Sequence, residues 1–358
     1  MGVDKPQYKF VTTTKLKNWF IMTMEKKTDM NILVTGGLGF IGSNFILKVL
    51  KDHEDFSIIN VDAEFFGSNH KNLIELKNAP NYEYVKCSIT NRRQMEDLIS
   101  KSDAVVNFAA ESFVDRSIAN ADPFLVSNIR GAFTLLDITK KQKKRFVHIS
   151  TDEVFGSIEN DSAVETSKFN PSSPYAATKA AAELLINSYT TTYDCDCVIT
   201  RCTNNYGPRQ YPEKLIPKTI LLANKDKKIP VYGNGKNIRD WIFVDDHCDA
   251  VHLALKNGKS GESYNISANN EISNLTVIKK ILELMNKSEE LIEFVEDRPG
   301  HDLRYSMDSS KSMKNLGWNV KSNFEDGLEK TIQWYLENPG ILNNISNALE
   351  PTPWKNSN

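Results

Sequence analysis

Cysteine, net charge and long apolar runs are all scarce in this sequence of 358 residues. Its five cysteines form no pair of closely spaced pairs, which excludes the usual four-thiolate zinc site, and we predict no metal site. An odd number of thiols fits reduced cysteines, which predicts a cytoplasmic protein. The formal net charge of -2 gives no reason to expect nucleic acid or a membrane surface as a partner. No apolar run approaches the roughly 18 residues of a membrane span.

The rest of the composition is that of a globular protein. Hydrophobic residues make up 40% of the chain and charged residues 25%, enough for a substantial buried core. Residues 1–29 contain no arginine, and no small-residue cleavage site follows their brief apolar stretch, so we expect a flexible extension rather than a secretory signal.

From residue 31 onward, short β-branched runs alternate with longer amphipathic stretches. This alternation predicts a Rossmann-like α/β fold, a doubly wound parallel sheet with helices on both faces. The predicted strands cover residues 31–35, 56–61, 82–87, 104–108, 145–149 and 196–201. The predicted helices include residues 40–50, 91–99, 124–140 and 175–193.

Glycine and proline interrupt the chain after Asn205, and the regular alternation is lost. We therefore predict a first domain at residues 30–205 and a smaller, loop-rich C-terminal lobe at residues 206–340 that binds substrate. Segments near residues 236–267 are expected to return to the first domain, and residues 341–358 to form a polar tail. An open α/β sheet binds ligands at the carboxyl ends of its strands, which this lobe would cover.

A glycine-rich turn follows the first predicted strand and opens a helix. Its Gly36, Gly39 and Gly42 have the spacing that serves a tight turn, the approach of pyrophosphate and helix packing in dinucleotide-binding sites. Asp62 closes the second strand, where a carboxylate accepts hydrogen bonds from the adenosine ribose. No arginine or lysine is adjacent to Asp62 in the sequence, which favours NAD over NADP.

Tyr175 and Lys179 stand four residues apart at the start of a predicted helix, so they share a face. A nearby ammonium and a cationic nicotinamide would lower the pKa of the phenol, so that Tyr175 could take a proton from a substrate alcohol during its oxidation. Such a pair is common by chance. Here a dinucleotide-binding motif precedes it in the chain, which favours a catalytic role.

Asp152 and Glu153 follow the fifth predicted strand at the ligand-binding edge of the sheet. Adjacent carboxyl groups in a loop are commonly a solvated turn. Beside an oxidising site they suit a second step, because the carbon next to a new ketone is acidified, and a base with a general acid can then expel a hydroxyl group as water.

With these motifs the chain resembles the nucleotide-sugar 4,6-dehydratases of the extended short-chain dehydrogenase/reductase family, from Met30 to about Asn338. The stretches that carry the resemblance are residues 35–42, 109–112, 114–117, 150–156, 175–179, 201–208, 212–217, 238–241 and 297–302. It departs from the family pattern at Ser88, Phe113 and Phe155, where Asp, His and Tyr are usual.

The resemblance implies roles that the residues alone do not. Tyr175, paired with Lys179, would remove the O4 proton of a glucose unit, and Thr151 would bind the sugar near O4. Glu153 would take the C5 proton, and Asp152 would protonate the departing C6 hydroxyl. Hydride, stored on NAD after C4 oxidation, would return to C6, which gives a 4-keto-6-deoxy sugar without an external oxidant.

The resemblance also implies two binding sets and a homodimer that packs through two helices of each subunit, one of them near residues 124–140. The NAD set is Gly36, Gly39, Phe40, Ile41, Gly42, Asp62, Ser88, Ile89, Ala109, Ala110, Ser127, Tyr175, Lys179 and Asn205. The nucleotide-sugar set is Ser112, Thr151, Asn204, Lys214, Leu215, Val231, Tyr232, Arg239, Asn274, Arg298 and His301. Arg239 and Arg298 offer forked donors to phosphate, and Lys214 a point charge.

Three functions remain open at this stage. The first is a dehydratase, acting on a dTDP-linked or UDP-linked glucose. The second is a sugar-nucleotide epimerase or decarboxylase, which shares the Tyr-Lys pair and NAD but has no leaving hydroxyl for Asp152 to protonate. The third is a non-catalytic binding module, which would not require Tyr175, Lys179 and the acid pair together.

Overall fold

The structure is a computed structural model, and it describes residues 30–342 and 353–355. The predicted extension at residues 1–29, and the predicted tail at residues 341–358 except for residues 341–342 and 353–355, lie outside the described residues.

A parallel sheet of seven strands forms the centre of the fold, in the order β10-β6-β5-β4-β1-β2-β3. The direction of strand addition reverses between β1 and β4, and the crevice at their carboxyl ends is the usual ligand site of such sheets. The Rossmann-like α/β prediction is thus confirmed. The strands are β1 (Met30–Thr35), β2 (Phe56–Asp62), β3 (Tyr82–Lys86), β4 (Ala104–Asn107), β5 (Arg145–Thr151), β6 (Cys197–Cys202) and β10 (Ser263–Ile266).

Helices cover both faces of this sheet because successive strand residues point to opposite sides. In β1, Ile32 and Val34 join the cluster beneath α1 and α8, whereas Leu33 joins the cluster beneath α2, α5 and α6. The helices are α1 (Phe40–Asp52), α2 (Arg92–Ser100), α3 (Val114–Ala119), α4 (Asp122–Phe124), α5 (Ala132–Gln142), α6 (Pro174–Tyr193), α7 (Leu215–Asn224), α8 (Val244–Asn257), α9 (Asn274–Leu284), α10 (Ser310–Leu316) and α11 (Phe324–Glu337).

The predicted helix at residues 124–140 is interrupted. A π-helical stretch, Leu125–Gly131, joins α4 to α5. Hydrophobic periodicity does not reveal this widening, because the apolar positions continue through it. The stretch is close to the ligand crevice, and Ser127 lines the larger cavity described below.

The proline-rich region after Asn205 contains more regular structure than its sequence suggests. Its own small sheets are β11-β9-β7 and β12-β8, and α7, α9 and α11 pack on them. The strands are β7 (Asn204–Tyr206), β8 (Ile229–Tyr232), β9 (Ile238–Phe243), β11 (Glu271–Ser273) and β12 (Ile292–Val295). Strand β10 pairs with β6 in the central sheet. The division into domains at residue 205 stays a prediction.

Two structural absences hold within residues 30–342 and 353–355. No helix there combines the length and the hydropathy needed to cross a bilayer. No group of three or more His, Cys, Asp or Glu side chains there is arranged to hold a metal ion.

Candidate active site

Strand β5 and helix α6 place the five predicted catalytic side chains together. The strand runs to Thr151, two residues beyond its predicted end, and a 3-10 turn at Asp152–Phe155 follows directly. Helix α6 begins at Pro174, and the side chain of Ser173 caps it by accepting a hydrogen bond from the amide of Ala176. The acid pair and the Tyr-Lys pair therefore reach the same crevice from adjoining elements.

A cavity of about 860 Å³ occupies this crevice. Every residue predicted to act in catalysis or to bind the dinucleotide lines it. These are Gly36, Gly39, Phe40, Ile41, Gly42, Asp62, Ser88, Ile89, Ala109, Ala110, Ser127, Thr151, Asp152, Glu153, Tyr175, Lys179 and Asn205.

A second cavity, of about 170 Å³, adjoins the first, and Phe113, Glu153, Asn204 and Lys214 line both. Of the predicted nucleotide-sugar residues, Ser112 and Thr151 line only the first cavity. The remaining ones line the second: Asn204, Lys214, Leu215, Val231, Tyr232, Arg239, Asn274, Arg298 and His301.

The glycine turn fits a dinucleotide. Gly36 has a φ of +71°, and a Cβ there would lie 2.6 Å from the amide nitrogen of Ala109. A Cβ at Gly42 would lie 2.5 Å from the carbonyl oxygen of Gly36, so these two glycines are needed for close backbone packing. A Cβ at Gly39 would meet only that carbonyl oxygen, at 3.2 Å. Its remaining side is open for pyrophosphate to approach the amino end of α1.

Asp62 lies at the adenosine end expected for such a ligand and accepts hydrogen bonds from the amide of Leu38 (3.0 Å) and the hydroxyl of Ser68 (2.7 Å). The sequence shows no cation next to Asp62, but strand pairing brings Lys86 close. Its Nζ lies 2.5 Å from a carboxylate oxygen of Glu64, and this pairing lowers the pKa of Glu64 to about 2. Lys86 is therefore paired with a carboxylate, which is consistent with an unphosphorylated ribose.

Asp152 is buried, and its two carboxyl oxygens differ. The Thr151 hydroxyl donates to Oδ1 at 3.0 Å, whereas Oδ2 has no hydrogen-bond partner among the described residues. Burial, with the neighbouring charge of Glu153, raises the pKa of Asp152 to about 8. Burial also raises the pKa of Glu153, against the opposing effects of Arg298 and Lys214. The pair thus combines a carboxyl group that is protonated at neutral pH with one that borders a cationic region.

The phenol of Tyr175 is buried, and burial with the charge of Glu153 raises its pKa well above its usual range in the protein alone. The lowered pKa predicted from the sequence requires a cationic nicotinamide beside the phenol, and it stays a prediction. The ammonium of Lys179 donates to the carbonyl of Ile149 at 2.6 Å and lies 3.4 Å from Nε2 of His148. Burial lowers the pKa of Lys179 to about 8. Tyr175 is therefore a protonated phenol until a further positive charge approaches.

Four cationic side chains line the second cavity: Lys218 and the three predicted residues Lys214, Arg239 and Arg298. Lys214 donates to the carbonyl of Ser112 at 2.8 Å, and burial lowers its pKa. Arg239 lies 4.1 Å above the ring of Tyr305, and Arg298 donates to Asp115 at 3.0 Å while its Nε has no hydrogen-bond partner among the described residues. Several charge-assisted donors are thus available to an anion such as a diphosphate.

The structure adds residues that sequence reasoning missed. Asp115 anchors Arg298, and it belongs to a stretch that carries the resemblance, so its position was a signal that could have been used. Phe66, Phe113 and Tyr211 form an aromatic group at the wall of the first cavity, with ring centroids 4.7 to 5.7 Å apart. Lys214 Nζ lies 4.6 Å from the centroid of the Phe113 ring, where the family has His. No spacing in the sequence indicates this group.

A doubly wound sheet with a dinucleotide-type glycine turn, a Tyr-Lys pair and an acid pair defines a protein of the short-chain dehydrogenase/reductase type. A family model described as GDP-mannose 4,6 dehydratase matches residues 33–331, and the chain belongs to that family. It is 48% identical over 308 residues to the low-salt glycan biosynthesis protein Agl12 of Haloferax volcanii, covering 86% of this chain and 99% of that protein.

Two further relatives have a defined reaction in their names. A dTDP-glucose 4,6-dehydratase of Haemophilus influenzae is 44% identical over 334 residues, covering 86% of this chain and 98% of that protein. The crystal structure of DesIV, a dTDP-glucose 4,6-dehydratase of Streptomyces venezuelae with NAD bound, has a TM-score of 0.85 and 41% identity, covering 87% of this chain and 98% of that chain.

We predict that Asp152→Asn becomes more stable relative to the unmodified protein as pH rises. Folding raises the pKa of Asp152 to about 8, from about 4 in an unfolded chain. The stabilising contribution of this carboxyl group is therefore complete below about pH 4 and lost as pH rises through about 8. Because asparagine cannot ionise, the variant should gain roughly 4 kcal/mol between about pH 5 and about pH 9.

Thermal and urea unfolding at the two pH values measure this difference. Asp97→Asn, which changes an exposed carboxyl group that pairs with Lys101, is the surface control. A pH-independent difference for Asp152→Asn would show that the carboxyl group ionises normally.

Proposed function

We propose that this chain is a nucleotide-sugar 4,6-dehydratase that uses NAD and converts dTDP-glucose to dTDP-4-keto-6-deoxyglucose. The observation that carries the proposal is the buried Asp152, a carboxyl group with a pKa of about 8 beside Glu153 and within the cavity that Tyr175 lines. An acid pair at this place serves elimination of water, which neither epimerisation nor simple oxidation requires. The named dehydratase relatives support the same chemistry.

NAD would lie along the first cavity, with its pyrophosphate over Gly39 and its adenosine ribose at Asp62. When bound, NAD supplies the acceptor of hydride from C4 of the glucose unit and the later donor of hydride to C6. The protein's part is to bind and orient. Gly36 and Gly42 keep the turn tight, Asp62 presents a carboxylate to the ribose, and Lys86 is paired with Glu64, which disfavours a 2′-phosphate.

Tyr175 removes the proton from the O4 hydroxyl. Its high pKa makes it a strong base once deprotonated, and a positive charge on the ligand beside it is required to make deprotonation accessible near neutral pH. Lys179 lies on the same face of α6, and its hydrogen bond to Ile149 fixes that face against β5. Thr151 adjoins Tyr175 and binds the sugar near O4.

Glu153 and Asp152 then act on neighbouring carbons. Oxidation at C4 acidifies the C5–H bond, and Glu153 takes that proton, because a carboxylate with a raised pKa is a better base than an ordinary one. Asp152 gives its proton to the C6 hydroxyl, which leaves as water as the C5–C6 double bond forms. Below about pH 8 Asp152 holds the proton that this step consumes. Glu153 then returns a proton to C5 when hydride is added to C6.

The second cavity binds the nucleotide diphosphate. Lys214, Arg239 and Arg298 supply the positive charge, and Leu215, Val231, Tyr232, Asn274 and His301 complete the wall. The dTDP preference follows the named relatives. UDP-glucose 4,6-dehydration is the alternative. An epimerase or decarboxylase is less favoured, since it leaves Asp152 without a role.

The proposal includes a cytoplasmic homodimer. The five cysteines are free and buried, as expected of reduced thiols. Large apolar side chains are exposed on the π-helical stretch, on α5 and on α6, namely Leu125, Val126, Phe133, Leu184 and Tyr193. A second copy of the chain would cover this two-helix face.

The first experiment incubates the purified protein with dTDP-glucose or with UDP-glucose, without added NAD, and follows product mass. We expect loss of one water from dTDP-glucose, because the cofactor is regenerated in each turnover. Water loss from UDP-glucose alone would establish the alternative nucleotide. No water loss from either sugar nucleotide would contradict the dehydratase assignment.

We expect Glu153→Gln to abolish solvent deuterium incorporation at C5 when the reaction is run in D₂O, because glutamine cannot take the proton. Mass spectrometry of the sugar measures the label. Glu111→Gln, which changes another carboxyl group at the wall of the same cavity, should retain incorporation. Full labelling by Glu153→Gln would mean that a different base acts.

Introducing a charge on the proposed dimer face should produce a monomer. Leu184 on α6 is 60% exposed and Leu336 on α11 is 47% exposed, so they form a matched pair. We expect Leu184→Glu to sediment as a monomer and Leu336→Glu to match the unmodified protein in analytical ultracentrifugation. Retention of the dimer by Leu184→Glu would place the interface elsewhere.

A further inference from the structure

A short C-terminal segment lies against the nucleotide-sugar cavity. Pro353–Lys355 form a 3-10 turn that packs on α3. Trp354 at its centre is 8% exposed, and Lys355, the exposed last residue of the turn, forms an ion pair with Glu296. Trp354 does not line either of the two cavities, so any effect on a ligand must pass through a neighbour.

One such neighbour is Tyr232, which lines the second cavity. The rings of Trp354 and Tyr232 meet edge to face, with centroids 4.9 Å apart and an interplanar angle of 83°. His301 makes a second edge-to-face contact with Tyr232, at 6.3 Å. Two roughly perpendicular neighbours therefore restrict the tilt of the Tyr232 ring.

The hydroxyl of Tyr232 continues the connection. It donates to one carboxylate oxygen of Asp115 at 3.0 Å, and Arg298 donates to the other oxygen at 3.0 Å. The Nε of Arg298 is buried and lacks a hydrogen-bond partner among the described residues. The contacts thus connect Trp354 through Tyr232 and Asp115 to the guanidinium of Arg298, whose Nε is available to donate to an anion.

We infer that Trp354 is a positioning residue for nucleotide-diphosphate binding. It packs on the Tyr232 ring, and through the Tyr232 hydroxyl it keeps Asp115 and Arg298 in the arrangement that the second cavity requires. Trp354 affects substrate binding and not the chemical steps, because the reacting carbons would lie in the first cavity beside Tyr175. The identity of the ligand rests on the proposed function, but the contact chain does not.

The test compares Trp354→Ala, Trp354→Phe and the unmodified holoenzyme. Isothermal titration calorimetry gives the Kd for dTDP, and steady-state kinetics gives KM and kcat for dTDP-glucose. Loss of an edge-to-face aromatic contact should raise Kd and KM by about 2- to 12-fold. The kcat value and the bound NAD per chain should stay unchanged, and phenylalanine should restore most of the affinity.

Lys355→Ala is the matched control, since it removes only an exposed ion pair from the same turn. A second comparison places Trp354→Ala in a Tyr232→Leu background, where the ring contact is already absent. If Trp354 acts through Tyr232, the added substitution has no further effect on the Kd for dTDP.

Three results would overturn the inference: an unchanged Kd in Trp354→Ala, an equal loss in Lys355→Ala, or an undiminished effect of Trp354→Ala in the Tyr232→Leu background. Melting temperatures of all variants show whether any loss reflects unfolding. Failure of the proposed function gives a different pattern, because the unmodified protein itself would then neither bind dTDP nor dehydrate dTDP-glucose.

Discussion

The arrangement of the site depends on one buried ion pair between a helix and the central sheet. Arg201 on β6 and Glu183 on α6 are 3% and 0% exposed at their side chains, and their closest atoms are 2.7 Å apart. Removing one partner of such a pair leaves an uncompensated buried charge, so neither element can shift freely. The Arg201 guanidinium also lies 5.0 Å from the ring of Phe155, in the turn that carries the acid pair. One cation therefore ties the Tyr-Lys helix to the Asp-Glu turn.

Burial supplies most of the electrostatic character of this site. It raises the pKa of Asp152 and of Tyr175 and lowers that of Lys179, in each case chiefly because burial disfavours the charged form of the group. The same burial is unfavourable for folding, since an ionised Asp152 would be costly in the interior. The protein accepts that cost at the residue proposed to supply the proton for elimination, which is a common relation between stability and activity.

The sequence was sufficient for the central architecture because parallel strands buried on both faces leave a strong pattern. The predicted ends of the strands differ from the observed ones by no more than two residues, as at β5, which continues to Thr151. The site residues were found through local motifs and the family resemblance, and all of them line the two cavities.

Contacts between distant segments were not predictable. Lys86 reaches Glu64 only through strand pairing, and Trp354 reaches Tyr232 from beyond residues 343–352. The effect of burial on the pKa of Tyr175 was not predictable either, because motif spacing does not reveal burial.

The two cavities share only Phe113, Glu153, Asn204 and Lys214. Side chains such as Val231 and Asn274 line the second cavity alone, away from the groups proposed to move protons. With the proposed function, substitutions there would alter which nucleotide is accepted while leaving the reaction intact. By contrast, a change at Glu153 or Lys214 alters the walls of both cavities. A lineage of such enzymes would be expected to diversify at one end of the crevice and to remain fixed at the other.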